Sequence, residues 1–97
     1  MKSNCSIMNV EDLAEMVAAN LKEFEGESVQ YKADSCYLTE DAFWFVRWND
    51  KNECFDTTEK HTLDELCEMV GCKSWERVTI EDGYGCKLAA VLFYTDV

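Results

Sequence analysis

The stretch AFWFVRW, residues 42–48, decides the fold because it carries large apolar side chains on both faces of one β-strand. Successive side chains of a strand point to opposite faces of the sheet, so neither face of this segment suits water. The pattern predicts a strand inside a sheet, or a strand that meets a partner. Residues 88–94 repeat it in the longest apolar run of the chain, which predicts a second internal strand.

Three further segments around these two predict the remaining strands. Val29, Tyr31 and Ala33 alternate with polar residues, as in a strand with one buried face. ECFDT, residues 53–57, is a short return strand after a turn at NDKN. WERVTIED, residues 75–82, forms a closing hairpin with the final apolar run, and the turn between them is EDGYG.

Two segments have the apolar period of a helix. In the first, Asn9 is the predicted N-cap, and Gly26 is placed to end the helix. In the second, Thr62 and Glu65 have the spacing of a capping box, and Gly71 is the predicted stop. Both helices are apolar on one side and acidic on the other, which predicts that the acidic sides face the solvent.

These elements predict an α+β fold, in a single domain of residues 1–97, with the element order αβββαββ. The predicted architecture is one five-stranded antiparallel sheet with two helices packed on it. A strand order of 4-5-1-2-3 would put both of the two-faced apolar strands inside that sheet.

The charge of the chain is strongly one-sided. Its 97 residues include 20 acidic and 9 basic ones, for a net charge of −11. Such a charge repels nucleic acid and anionic membranes, and it attracts basic surfaces, including clefts built to hold nucleic acid. The basic residues are scattered singly, so we expect no direct nucleic-acid binding and no membrane binding. Solubility alone is the competing explanation of the charge.

Catalytic, metal and cofactor motifs are weak in this sequence. The only histidine, His61, stands in TEKHT and is predicted to be a solvated connector residue. Cys67 and Cys72 have no second pair that would complete a zinc site, and no phosphate-binding loop is present. With no export signal visible, the six cysteines are predicted to be reduced in a cytoplasmic protein. We therefore expect no enzyme activity, no metal and no cofactor.

The acidic faces are the candidate functional site. Carboxylates three or four residues apart on a helix have Cβ atoms ~5–6 Å apart, which is roughly comparable with phosphate spacing along DNA. A basic cleft that holds DNA could accept such an array. The candidate partner-binding residues are Glu11, Asp12, Glu15, Glu23, Asp50, Glu53, Asp56, Asp64, Glu65 and Glu68.

In size, acidity and helix-plus-sheet layout, the whole chain resembles small phage-encoded DNA mimics, and it is most similar to a type I-F anti-CRISPR protein. That group shares no diagnostic motif, so no residue role is carried over. The resemblance implies a phage or prophage product in a bacterial cytoplasm. It further implies an inhibitor that occupies the basic DNA path of the RNA-guided surveillance complex and blocks target DNA without catalysis.

Two other functions stay open at this point. An acidic interaction or regulatory module could contact its partner through aromatic side chains on the sheet, with Trp44 or Trp48 as the anchor. An enzyme could use a cysteine nucleophile with His61 as its base. The three hypotheses differ in the face that they use and in their response to salt.

Overall fold

The computed structural model describes residues 5–21 and 29–95 of the chain. These residues form two α-helices, one 3₁₀ turn and six strands. In chain order they are β1 (Cys5–Asn9), α1 (Val10–Asn20), a 3₁₀ turn (Ala33–Ser35), β2 (Tyr37–Leu38), β3 (Ala42–Asn49), β4 (Cys54–Thr62), α2 (Leu63–Met69), β5 (Ser74–Glu81) and β6 (Lys87–Tyr94). The fold is therefore of the α+β class.

The described strands form two separate antiparallel sheets. The β6 sheet has the order β1-β6-β5, and the β3 sheet has the order β2-β3-β4. The two strands that are apolar on both faces, β3 and β6, are each the middle strand of their sheet. Their predicted internal positions are confirmed, as is the closing hairpin of β5 and β6.

The predicted element order αβββαββ is wrong because β1 precedes α1, and the prediction of one five-stranded sheet, with the order 4-5-1-2-3, is wrong as well. Its first strand was to run through Val29 and Ala33 and pair with the last strand, β6. That edge of β6 is instead occupied by β1, which places Ile7 opposite Leu92. The segment after Val29 makes only an isolated bridge, between Tyr31 and Arg47, before the 3₁₀ turn begins. With both edges of β6 occupied, no described strand joins the two sheets.

Helix α1 begins with a complete capping box. The side chain of Asn9 accepts a hydrogen bond from the backbone N–H of Asp12 at 2.9 Å, and the Asp12 carboxylate accepts one from the N–H of Asn9 at 3.2 Å. Leu13 and Val17 on the opposite side are fully buried. The described helix ends at Asn20, and the predicted end at Gly26 lies outside the described residues.

Helix α2 has the predicted start and stop. Thr62 accepts a hydrogen bond from the backbone N–H of Glu65 at 3.1 Å. At the other end, Gly71 has a φ of 76°, which is the left-handed conformation that glycine adopts without strain. The N–H of Gly71 donates to the carbonyl of Glu68 and that of Cys72 to the carbonyl of Cys67, both at 3.0 Å, so the helix ends in a Schellman motif.

The core joins the two sheets through the helices. Helix α1 packs against β1 and β3, and α2 packs against β4 and β5, so each helix contacts both sheets. The largest fully buried side chains come from both helices and from the middle strand of each sheet. They are Phe43, Phe45, Phe93, Leu13, Leu63, Leu66, Val17 and Val91. The Arg77 guanidinium of β5 also donates to the carbonyl of Thr39, which precedes β3. The acidic sides of both helices consequently face away from the core.

The capping box gives the first testable prediction. Asn9→Ala leaves the N–H of Asp12 without its acceptor, so we expect the free energy of unfolding to fall by about 0.5–2 kcal/mol. Urea denaturation measures this change. Asn9→Ser, whose hydroxyl can accept the same hydrogen bond, should keep most of the stability. An alanine variant as stable as the native chain would contradict the capping role of Asn9.

Candidate functional site

The structure exposes every candidate acidic residue that it describes. Nine of the ten lie within residues 5–21 and 29–95, and each belongs to the exposed class. The tenth, Glu23, lies outside the described residues. The predicted outward orientation of the acidic side chains is therefore seen on α1, on α2 and around the turn between β3 and β4.

Four of these nine carboxylates make a hydrogen bond or a close charged contact within the molecule. Asp12 completes the capping box of α1. Asp56 accepts a hydrogen bond from the Asn52 amide at 3.1 Å. Asp64 accepts one from the indole Nε1 of Trp75 at 2.7 Å. An oxygen of Glu65 lies 3.7 Å from Nδ1 of His61.

The other five carboxylates, Glu11, Glu15, Asp50, Glu53 and Glu68, make no hydrogen bond and no ion pair in the described part of the chain. The ion pairs found there connect Arg47 or His61 with Glu59, and His61 with Glu65. Because no cation within residues 5–21 and 29–95 pairs with these five side chains, their charge is available to a partner. We call them the unpaired carboxylates.

Asp34 also belongs to this acidic surface, although no local sequence pattern indicates it. It lies in the 3₁₀ turn, which packs against α1. An open groove of about 420 Å³ runs between that turn, the start of α1 and the start of β6, and both Glu11 and Asp34 line it. The alternation of Val29, Tyr31 and Ala33 predicts a strand here, and a strand does not place Asp34 beside α1. A contact between the turn and α1 is a tertiary feature with no local signal.

The pKa of Tyr31 is affected by the carboxylates on the acidic side of α1. Burial raises the pKa of its phenol, and the charges of Glu15 and Glu11 raise that pKa further. A phenolate beside two carboxylates is unfavourable because like charges repel. The field of these glutamates therefore extends from the surface onto the neighbouring β3 sheet.

Asp56, near the start of β4, has a lowered pKa. Hydrogen bonds from Asn49, from the Cys54 thiol and from Asn52 favour its charged form. The same interaction raises the pKa of the Cys54 thiol. At neutral pH Asp56 is therefore fully ionised, and it adds a fixed negative charge beside Asp50 and Glu53.

His61 does not lie in an exposed connector as predicted. It belongs to β4, and its side chain is only 13% exposed. Its Nε2 lies 3.9 Å from one oxygen of Glu59, whose other oxygen pairs with Arg47 at 3.2 Å. Glu65 of α2 approaches the other ring nitrogen of His61, and its own side chain is 54% exposed.

Three of the described thiols have a pKa that is shifted away from the thiolate form. Burial raises the pKa of Cys36 and of Cys67, and the pKa of Cys54 is raised as well. A catalytic cysteine requires the opposite shift. Cys36, Cys54, Cys67, Cys72 and Cys86 are free thiols, and the described residues contain no group of side chains placed to hold a metal ion.

The aromatic side chains of β3 divide between core and surface. Phe43 and Phe45 are fully buried. Trp44 faces the other side, where it stacks on Tyr37 with ring centroids 5.9 Å apart, and Tyr37 is 50% exposed. The Lys60 ammonium lies 5.8 Å from the Trp44 ring. Trp48, the other predicted anchor, is half-buried and contacts Phe55 edge-on, with ring centroids 5.0 Å apart.

Comparison of the chain with protein-family models, with curated proteins and with solved structures found no match. Neither α1 nor α2 is long and apolar enough to cross a membrane, and the described residues hold no other α-helix.

The pKa of Asp56 gives the second prediction. Carboxyl carbon shifts followed by NMR during an acid titration should place it below the ordinary value of 3.8, because three donors favour the charged form. A lowered pKa means that the charged form stabilises the fold above that ordinary value, and that this stabilisation is lost as the pH falls through the folded pKa. Asn52→Ala removes one donor and should raise the pKa of Asp56. A pKa at or above 3.8 in the native chain would contradict this turn geometry.

Proposed function

We propose that this protein is a non-enzymatic inhibitor that mimics duplex DNA and occupies the basic DNA-binding cleft of a nucleic-acid-binding complex. The observation that carries the proposal is the set of unpaired carboxylates. They are exposed, and they form no ion pair with a cation in the described part of the chain. The proposed partner is the type I-F CRISPR surveillance complex, and the proposed place of action is the cytoplasm of a bacterial host infected by a phage.

The spacing of the unpaired carboxylates supports mimicry of a phosphate row. Glu11 and Glu15 are four residues apart on α1, which places their Cβ atoms ~5–6 Å apart on one side of the helix. Like charges at this spacing destabilise an isolated helix by about 0.2–0.5 kcal/mol. A cleft lined with lysine and arginine would remove that repulsion, so the pair becomes favourable in the complex.

Occupancy alone would produce inhibition. A surface that presents carboxylates where DNA presents phosphates competes for the same cations, and the complementary charges also speed association. No bond is made or broken in this mechanism. The raised pKa values of Cys36, Cys54 and Cys67 agree with it, because the proposed mechanism requires no thiolate.

The third prediction tests the unpaired carboxylates with purified type I-F surveillance complex and labelled duplex target. Two double reversals, Glu11→Lys with Glu15→Lys and Asp50→Lys with Glu53→Lys, invert the charge of side chains that make no hydrogen bond and no ion pair in the described part of the chain. We expect at least one of them to weaken inhibition by about tenfold or more, because each inverts two contacts with cations. The native affinity should also fall as salt rises.

The matched control is Glu40→Lys with Asp41→Lys, which makes the same change in net charge in the turn between β2 and β3. This variant should inhibit better than the weaker of the two test variants. If all three double variants inhibit like the native protein, or if the complex holds DNA and this protein together without loss of affinity, DNA mimicry is wrong.

The stack of Trp44 on Tyr37 favours a second candidate function, an acidic interaction module that binds through the β3 sheet. Aromatic side chains that remain exposed on a sheet are typical of binding hot spots. Such a module would lose affinity on loss of the stack and would respond little to salt.

The fourth prediction separates this candidate from the first. Under DNA mimicry, Tyr37→Ala should leave inhibition of the surveillance complex within about twofold of the native protein, because the stack carries no negative charge. Tyr84→Ala, which removes an even more exposed tyrosine from the turn between β5 and β6, is the control. A large loss for Tyr37→Ala alone would assign the contact to the aromatic stack.

A further inference from the structure

We infer that the groove between α1, the 3₁₀ turn and β6 is the anchor site for one arginine side chain of a basic partner protein. The inference rests on the proposed function, because the groove would be one point at which the acidic surface binds its partner. It starts from the groove itself, which has a volume of about 420 Å³ and combines apolar walls with two carboxylates.

The walls of the groove are apolar. Val10 of α1, Ala33 of the 3₁₀ turn, and Leu88 and Ala89 of β6 line it. Leu88 is one of only four large hydrophobic side chains in the described chain that are exposed, at 37%. An exposed leucine contributes nothing to binding that depends on charge alone. An occupant with an apolar body would cover it.

The polar lining of the groove is anionic. Glu11 and Asp34 approach it from two different elements, and neither forms an ion pair in the described part of the chain. Asn9, the remaining lining residue, already uses its side chain to cap α1. Lys32 and Lys87 are adjacent in sequence to the walls, yet neither lines the groove. The groove therefore favours a cation that comes from another molecule.

The helix dipole does not reverse this preference. The start of α1 lies at the groove, and a helix N-terminus carries roughly half a positive charge. Two carboxylates outweigh that partial charge. In the first turn of α1, the N–H group of Asp12 is already bound to the side chain of Asn9 and does not attract an anion.

Arginine fits these features better than lysine. Its guanidinium is planar and weakly hydrated, and it can donate to two carboxylates at once, while its aliphatic stem lies along apolar walls. An ammonium is strongly hydrated and loses more on entering an apolar groove. Arginine is also among the residues that most often form hot spots at interfaces.

The test uses the free protein and a small probe, N-acetyl-arginine-methylamide, followed by NMR. We expect saturable shift changes at Val10, Ala33, Leu88 and Ala89, with a dissociation constant on the order of millimolar for one side chain. The citrulline analogue, which has nearly the same shape without the charge, should cause none. Asp34→Asn should abolish the shifts. Glu15→Gln, one turn along α1 and outside the groove lining, should retain them.

Two results would overturn the inference: no saturable change at the groove, or equal changes with the citrulline probe. Ala33→Phe, which fills the groove without altering the charge, then connects the site to inhibition. We expect it to weaken inhibition of the surveillance complex by about tenfold, as loss of a hot-spot contact does. Its thermal unfolding should match that of the native protein.

The two proposals fail in different ways. If the probe does not bind while the double charge reversals still abolish inhibition, the arginine anchor is wrong and DNA mimicry stands. If the probe binds the groove but the surveillance complex holds DNA and this protein together, DNA mimicry is wrong and the groove remains an arginine site for another partner.

Discussion

The antiparallel pairing of β1 with β6 is the interaction on which the rest of this structure depends. Asn9 ends β1 opposite Ala90, and the same residue caps α1. Because no loop separates the strand from the helix, the position of β1 fixes the position of α1. Helix α1 then packs on β1 and β3 and so holds together two sheets that share no strand pairing in the described chain. It also sets Glu11 beside the 3₁₀ turn and thereby creates the groove.

The sequence predicts the parts of this fold that depend on local pattern. Both faces of β3 and β6 are apolar, and only an internal position removes both faces from water, so their places in the sheets could be predicted. The partner of each strand could not. Residues 5–9 hold only two large apolar side chains, Ile7 and Met8, and become a strand because β6 offers an edge. Tyr31 and Ala33 alternate with polar residues, yet a single bridge to Arg47 is all the pairing they make. Strand propensity is a weak guide where tertiary context decides.

The candidate site divides in the same way. Helical periodicity predicts which carboxylates face outward, and all of the described ones do. It does not predict which of them the fold itself uses. Asp64 binds Trp75, eleven residues away on β5, and His61 reaches Glu65 across the junction of β4 and α2. The contact between Asp64 and Trp75 arises only when α2 meets β5. For the same reason Asp34 was not found, since its neighbour in space is α1.

Charge alone explains attraction better than it explains tight, selective binding. Exposed carboxylates in water contribute about 0–1 kcal/mol each to an ion pair, and salt screens them. A surface built only of such groups would bind any basic protein weakly. A desolvated contact changes this, because a cation removed from water interacts more strongly with the carboxylates that surround it. The apolar walls around Glu11 and Asp34 supply that environment at one point of the acidic surface. The unpaired carboxylates would then bring a basic partner to the surface, and the groove would select one that can place an arginine there.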